Sequence, residues 1–416
     1  MHVGLIRGHA DFRRLWMGDG VSKIGSSVVV LALPLLAATT LDATTWQVAL
    51  LTTFSTLPFL LIGLPVGALA DRMRRRPVLI TADLSRAALL AWVPVAAALD
   101  VLTIEQLYVV NLLVGVGTVF FDVSLGAYVP TLIGRSRLVE GNGRLEANRS
   151  VAYSAGPTIG GQLIQWLGAP LAVVSTVFGY LWSAAWLASI RTREQPPPRA
   201  ADPNLAREIG AGLRFVLAQP FIRATTFHAT FAVLFLGTRY AIEVLFLLRT
   251  VGLAPGVIGA LVTIAGVGAV TGAIVANRIV GRIGRTRTVL VSGLAMGGFS
   301  TIIPLTSLGA GQVFYAVGAG MVSFWITVSR VVGISLAQTL CPDHLLGRMN
   351  ATTRFLAWAT LPLGGLVGGA LGTALGLRTT LWFTATGLLL SSLWLVLSPA
   401  CRARDLPETS PPSPTA

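Results

Sequence analysis

The chain has 416 residues, 54% of them hydrophobic and only 12% charged, with a formal net charge of +14 and a mean hydropathy of +0.74. A soluble domain carries about 25% charged residues. Half that figure, with apolar runs of ~20 residues recurring from end to end, excludes an ordinary soluble fold and predicts a polytopic helical membrane protein. The ~10-residue alternating segments of a membrane β-barrel are absent. The polar N-terminus runs into an apolar span with no A-x-A-like site after it, so no cleavable signal peptide is expected.

About twelve spans are predicted in chain order: 14–38, 46–69, 78–99, 106–130, 146–167 and 171–191, then 222–247, 256–279, 288–308, 312–337, 350–373 and 379–398. Between the second and third lies GALADRMRRRPVL, Gly67 to Leu79. Asp71 followed by Arg72, Arg74, Arg75 and Arg76 cannot lie in hydrocarbon, so this is a tight polar turn. Positive charge in short loops marks the cytoplasmic side. The connections on the opposite side carry only Arg249 and Arg378, whereas the N-terminus, the 131–145 and 278–287 loops and the C-terminal Arg402 and Arg404 share the basic side. Both termini are therefore expected in the cytoplasm. Because the arginines fall in alternate loops, the basic balance reads as a topology signal and no nucleic-acid partner is expected. Cys341 and Cys401 fall on the predicted cytoplasmic side, and neither a disulfide nor a metal site is expected of them.

The longest polar break before the tail, 191–222, contains Pro196-Pro197-Pro198, which cannot be helical, followed by REIGAGLRFVL. This piece reads as a short amphipathic helix on the membrane surface, inside a cytoplasmic linker between two six-helix bundles, 1–190 and 223–400. The Pro/Ser/Thr-rich tail, 401–416, is expected to be disordered. The halves echo each other: Asn148-Arg149 matches Thr353-Arg354, and Gly156-Pro157 matches Leu361-Pro362, each followed by a glycine pair. Parallel six-helix repeats are the plan of a secondary transporter.

The turn motif resembles the helix 2–3 signature of the major facilitator superfamily, matching at Gly67, Leu69, Asp71, Arg72, Arg75 and Arg76. In the fifth span AGPTIGG, with Gly156, Pro157, Gly160 and Gly161, resembles the signature that this family associates with antiporters. LLGRMNATTRFLAW, Leu345 to Trp358, is similar to the helix 10–11 junction of its bacterial drug and siderophore exporters. The usual arginine of the fourth-span signature is absent. The resemblance spans residues 10–400. It implies an all-α membrane protein of two pseudo-symmetric six-helix bundles. It also implies that Gly67, Asp71, Arg72, Arg75 and Arg76, joined by Asp83 and Arg86 of the third span, form a conformational latch. The helix-5 motif would be a packing hinge that resists leak.

Ionisable residues inside spans are costly and so are site candidates. Asp19 and Lys23 form an i,i+4 pair in span 1, and Arg239 and Glu243 another in span 7. Asp122 lies in span 4, and Arg330 holds the repeat-equivalent position in span 10. In the family, spans 1, 4, 7 and 10 line the central cavity. Asp19, Asp122 or Glu243 is expected to carry a coupling proton, with Lys23, Arg239 or Arg330 setting its affinity or binding an anionic substrate group. His228 reads more readily as a satisfied buried polar residue than as a proton site.

No nucleotide-binding P-loop, metal-ligand spacing or nucleophile–base pair is found, so the chain is not expected to be an enzyme and needs no cofactor beyond a proton gradient. The reading is a monomeric, proton-coupled exporter of amphiphilic small molecules in a bacterial cytoplasmic membrane. Its partners would be substrate, protons and lipid. The alternatives are a symporter importing a nutrient, or a receptor without turnover.

Overall fold

A computed structural model describes residues 5–70, 73–134, 137–192, 194, 205–341, 343–399 and 403. Among these the chain is helical, with no strand. Eleven helices are long and apolar enough to cross a membrane. The twelfth predicted span, the fifth in order, lies in a thirty-residue helix, Leu138–Leu167, whose first half carries Glu140, Arg144, Glu146 and Arg149. Glycine, serine, Gln162 and Gln165 dilute the apolar character of its second half.

The chain divides into two compact units. The first holds residues 1–202 with 237–266 and 361–380; the second holds 203–236, 267–360 and 381–416. The first unit begins with a single turn, α1 (Leu5–Gly8), and six long helices: α2 (Ala10–Thr39), α3 (Thr45–Ala70), α4 (Arg75–Ala98), α5 (Ile104–Ile133), α6 (Leu138–Leu167) and α7 (Ala169–Ser189). α2 packs on α6 and α7, and α4 on α5 and α7. A buried cluster including Phe12, Leu15, Leu79, Phe121, Tyr128 and Leu187 fills the space between them. With no water in hydrocarbon, every backbone group must be satisfied along a helix or at its ends. The caps show how: Thr103 accepts from the Gln106 amide at the start of α5, and His9 from the Phe12 amide at the start of α2.

Next in the chain come α8 (Leu205–Ala218) and α9 (Pro220–Leu245), which ends in a π-helical turn at Phe246–Thr250. Then follow α10 (Pro255–Ile283), α11 (Arg285–Ser300), α12 (Gln312–Leu340), α13 (Asp343–Trp358), α14 (Leu361–Leu375), α15 (Leu377–Ser391) and α16 (Leu393–Leu397). Predicted span 11 is thus broken between α13 and α14, ahead of Pro362, a residue that cannot donate to the helical ladder. At the break, Thr360 Oγ1 donates to the Thr230 carbonyl of α9 at 3.0 Å.

α8 packs against α13 in the second unit. Val216 is fully buried and Phe215 partly so, in a cluster with Phe221, Ile222, Val332, Leu336 and Met349. The proline run and most of the tail lie outside the described residues.

Candidate functional site

In the first unit Asp19 and Lys23 of α2 meet Asn148 of α6 and Asp122 of α5. Asp19 is 3% exposed, and its carboxylate accepts from Asn148 Nδ2 of α6 at 3.0 Å. One turn on, Lys23 reaches across to α5, where its Nζ lies 3.3 Å from Asp122 Oδ1. The i,i+4 partner expected for Lys23 was Asp19; a carboxylate from the neighbouring helix takes that role. Both partners are about a third exposed, 27% and 37% by side chain, whereas Asp19 and Asn148 are buried. The Lys23 ammonium lies 5.9 Å from the centroid of Phe121.

On the other pair of helices the same ring meets a second cation. Arg86 of α4 lies 4.5 Å from the Phe121 centroid and 4.2 Å from that of Tyr180. It bonds the Asp83 carboxylate one turn earlier in the same helix, with side-chain exposures of 4% and 0%. Asp83 and Arg86, expected in the latch beside the polar turn, thus form a dry internal ion pair about two turns inside α4.

The turn itself is anchored by Glu194. This carboxylate accepts from the backbone amides of Arg75 and Arg76, at 2.9 and 3.1 Å. An anion at a helix N-terminus meets unpaired N–H groups and the positive end of the dipole. The N-cap residue Arg74 offers no side-chain bond there. Arg75 also approaches Glu194 at 3.6 Å, and its guanidinium donates to Thr131. The Arg76 side chain donates to the Leu187 and Ala188 carbonyls at the end of α7. Arg76 therefore bonds helix-end carbonyls, and the partners of Arg75 and Arg76 among the described residues lie in the first unit. Asp71 and Arg72 lie outside the described residues; Gly67 falls near the end of α3.

The helix-5 motif is a packing seam. On one face of α6, a Cβ at Gly160 would sit 3.2 Å from the Val28 Cα of α2, and one at Gly156 would collide with Ser27. On the next face, a Cβ at Gly161 would sit 2.6 Å from the Pro255 carbonyl and 3.0 Å from the Gly259 Cα. Thr158 and Thr263 hydroxyls meet there at 2.6 Å. The repeat-equivalent glycines follow suit: Gly365 of α14 abuts Thr53 of α3, and Thr53 donates to the Pro362 carbonyl. Arg239 and Glu243 pair within α9 at 3.5 Å and are buried, as their spacing predicted. Arg330 is exposed on α12, in the second unit. His228 is buried against Ser391. No group of three or more metal-ligating residues occurs among the described residues.

The family model described as transmembrane secretion effector matches residues 7–412. The chain belongs to the major facilitator superfamily. This facilitator is 27% identical over 402 residues to the multidrug efflux pump Tap of Mycolicibacterium fortuitum, covering 92% of this chain and 94% of the relative. It is 26% identical over 424 residues to the enterobactin exporter EntS of Salmonella typhi, covering 99% and 98%. Its fold matches the crystal structure of a bacterial homologue of the iron transporter ferroportin in an inward-facing state, with TM-score 0.72 and 16% identity over 93% of this chain and 98% of that one. It is a multi-pass membrane transporter with the two pseudo-symmetric six-helix bundles of that fold.

In this facilitator the two arginines that break the charge rule are both engaged. Arg249, in the π turn, donates to the Ala43 carbonyl at 2.8 Å and to the Ala38 carbonyl, in the last turn of α2, at 3.1 Å. Asp42, in the left-handed region at φ 46°, turns the chain between these acceptors. The Arg378 guanidinium stands 5.5 Å from the Phe246 ring. Replacing Arg249 by alanine frees both carbonyls. In a cysteine-free background, a cysteine at position 43, where Ala43 is 2% exposed, is then expected to label several-fold faster with an impermeant maleimide. An unchanged rate would show that the clasp does not hold this turn.

Proposed function

We propose that this facilitator is a proton-coupled antiporter. It exports amphiphilic small molecules, drug-like or siderophore-like, by alternating access, as a monomer in a bacterial cytoplasmic membrane with both termini inside. The observation that carries this reading is the cluster of Asp19, Lys23 and Asp122 within membrane-spanning helices. Two carboxylates around one amine carry one negative charge in excess when both are ionised. Ionisable groups at such depth face the interior or water and mark ion and substrate paths. A proton on either carboxylate neutralises the cluster, and so does a cationic group on a bound molecule, but not both together. Competition for one charge is the elementary requirement for exchange.

Lys23 holds Asp122 from one side and lies one turn from Asp19, so loading one carboxylate changes the field at the other. The Arg239–Glu243 ion pair is buried within α9, and Glu243 is a further candidate for the proton. One proton moving down 100 mV yields ~2.3 kcal/mol, enough for roughly fiftyfold accumulation. The names of the relatives, an efflux pump and an exporter, favour the outward direction for this chain, as does the helix-5 motif.

The test is transport in proteoliposomes by Asp19→Asn, Asp122→Asn and Glu243→Gln. At least one is expected to lose stimulation by an imposed pH gradient while keeping substrate exchange. Wild-type pH dependence in all three variants would overturn the assignment.

A further inference from the structure

Asn148 was visible in the sequence only as one member of a repeat match. In the fold its amide nitrogen donates twice to α2: to the Asp19 carboxylate at 3.0 Å and to the Trp16 carbonyl at 2.8 Å. Both Asp19 and Asn148 are buried, at 3% and 9%. The approach depends on Gly20, where a Cβ would sit 3.3 Å from both amide heteroatoms of Asn148. Positions 148, 152, 156 and 160 form an i,i+4 stripe on α6. Asn148, Gly156 and Gly160 meet Asp19, Ser27 and Val28 of α2 in turn. Gly161 and Thr158, on the adjoining face, hold the start of α10. One continuous helix therefore carries both the contact to the buried carboxylate and the packing motif.

We propose that Asn148 is the positioning residue through which the proton load on Asp19 reaches α6. A hydrogen bond to an ionised carboxylate is about twice as strong as a neutral one. While Asp19 is ionised, the amide ties α2 to α6. When Asp19 takes a proton the bond loses its charge assistance, and the acid O–H becomes a donor that needs its own acceptor, for which the Asn148 carbonyl oxygen is at hand. The tie weakens and rearranges, and the change falls on the helix that carries the glycine seam. The charged groups facing Asp19 are Lys23 of its own helix, Asp122 of α5 and Arg149 of α6. Neither α3 nor α7 holds a charged residue, and α7 contributes Tyr180, whose hydroxyl meets Ser26. The inference rests on the reading of Asp19 as a proton site, and it adds the element that responds.

The test needs no substrate. Hydrogen exchange of the α6 backbone is followed on the purified full chain in lipid nanodiscs between about pH 5.5 and 8, corrected for intrinsic rates. In the wild type, acidification is expected to speed exchange of residues 146–160 several-fold. Asp19→Asn removes that response. Asn148→Leu removes it equally, the Asp19→Asn/Asn148→Leu double variant adds nothing further, and Asn148→Gln restores part of it. Gly20→Val, which pushes the amide off Asp19 while leaving Asn148 in place, reproduces Asn148→Leu and covers the case in which that variant folds poorly. A response that Asp19→Asn abolishes but Asn148→Leu and Gly20→Val retain would overturn the role of Asn148 and leave Asp19 as the proton site. A response intact in Asp19→Asn, or absent from the wild type, would remove the proton reading itself and this inference with it.

Discussion

Gly161→Val is expected to break the seam between α6 and the start of α10, with loss of most folded protein. The atoms a Cβ would meet, the Pro255 carbonyl at 2.6 Å and the Gly259 Cα at 3.0 Å, are backbone, so no side chain can swing aside. Gly259 faces the reciprocal problem against the Pro157 carbonyl. Two glycines opposed in this way let helix axes approach until dispersion replaces the hydrophobic drive that lipid does not supply. Overpacking costs ~1–3 kcal/mol where neighbours can adjust and more where they cannot. Gly143→Ala is the control: it lies on the same helix, and nothing stands within 4 Å of its added Cβ. It should be neutral, or stabilising by up to ~1 kcal/mol through helix propensity. The fraction of monodisperse protein after extraction, and its melting temperature, separate the two outcomes. Equal behaviour would mean that the motif is not a packing element.

The second large effect belongs to Arg86. Arg86→Met leaves the fully buried Asp83 carboxylate without its cation, and breaking a buried pair on one side costs ~3–5 kcal/mol. The Asp83→Leu/Arg86→Met double variant removes both charges and should recover most of the loss, since a well-packed apolar pair is often as stable as a buried ion pair. The methionine can still pack against Phe121 and Tyr180. Reversible unfolding in mixed micelles measures both. A double variant as damaged as Arg86→Met would mean that the guanidinium acts through the two rings and its bonds to Ala82 and Thr118 rather than through Asp83.

The spans were legible because hydropathy and helix length are coupled by bilayer thickness. The predicted 14–38 and 171–191 match Ala10–Thr39 and Ala169–Ser189 within a few residues. The predicted 146–167 starts eight residues late. Hydropathy reports affinity for lipid, and the polar turns of α6 from Leu138 onward are helical without it. The break of span 11 was signalled by Pro362 but read as part of a motif.

Within the site, a local rule worked where the partners share a helix and nothing intervenes, as in Arg239–Glu243. It misled at Lys23, where the choice between Asp19 and Asp122 depends on how α5 lies beside α2, and cross-helix register has no local signal. Asp83 and Arg86 stood near the polar turn in the chain and pointed to the latch, but their i,i+3 spacing lets them close on each other. Glu194 and Asn148 were missed for the same reason. Each serves a distant helix, and only the fold brings it there.

The central claim is that an inward proton gradient powers outward movement of a small molecule through this chain. The direct measurement loads inside-out proteoliposomes of the purified protein with buffer, imposes an acidic interior, and follows uptake of a panel of labelled amphiphiles, including ferric-ion chelators and lipophilic cations. The account predicts accumulation that collapses when a protonophore dissipates the gradient and that falls in at least one of Asp19→Asn and Asp122→Asn. Accumulation indifferent to the gradient, with both variants at the wild-type level, would contradict it.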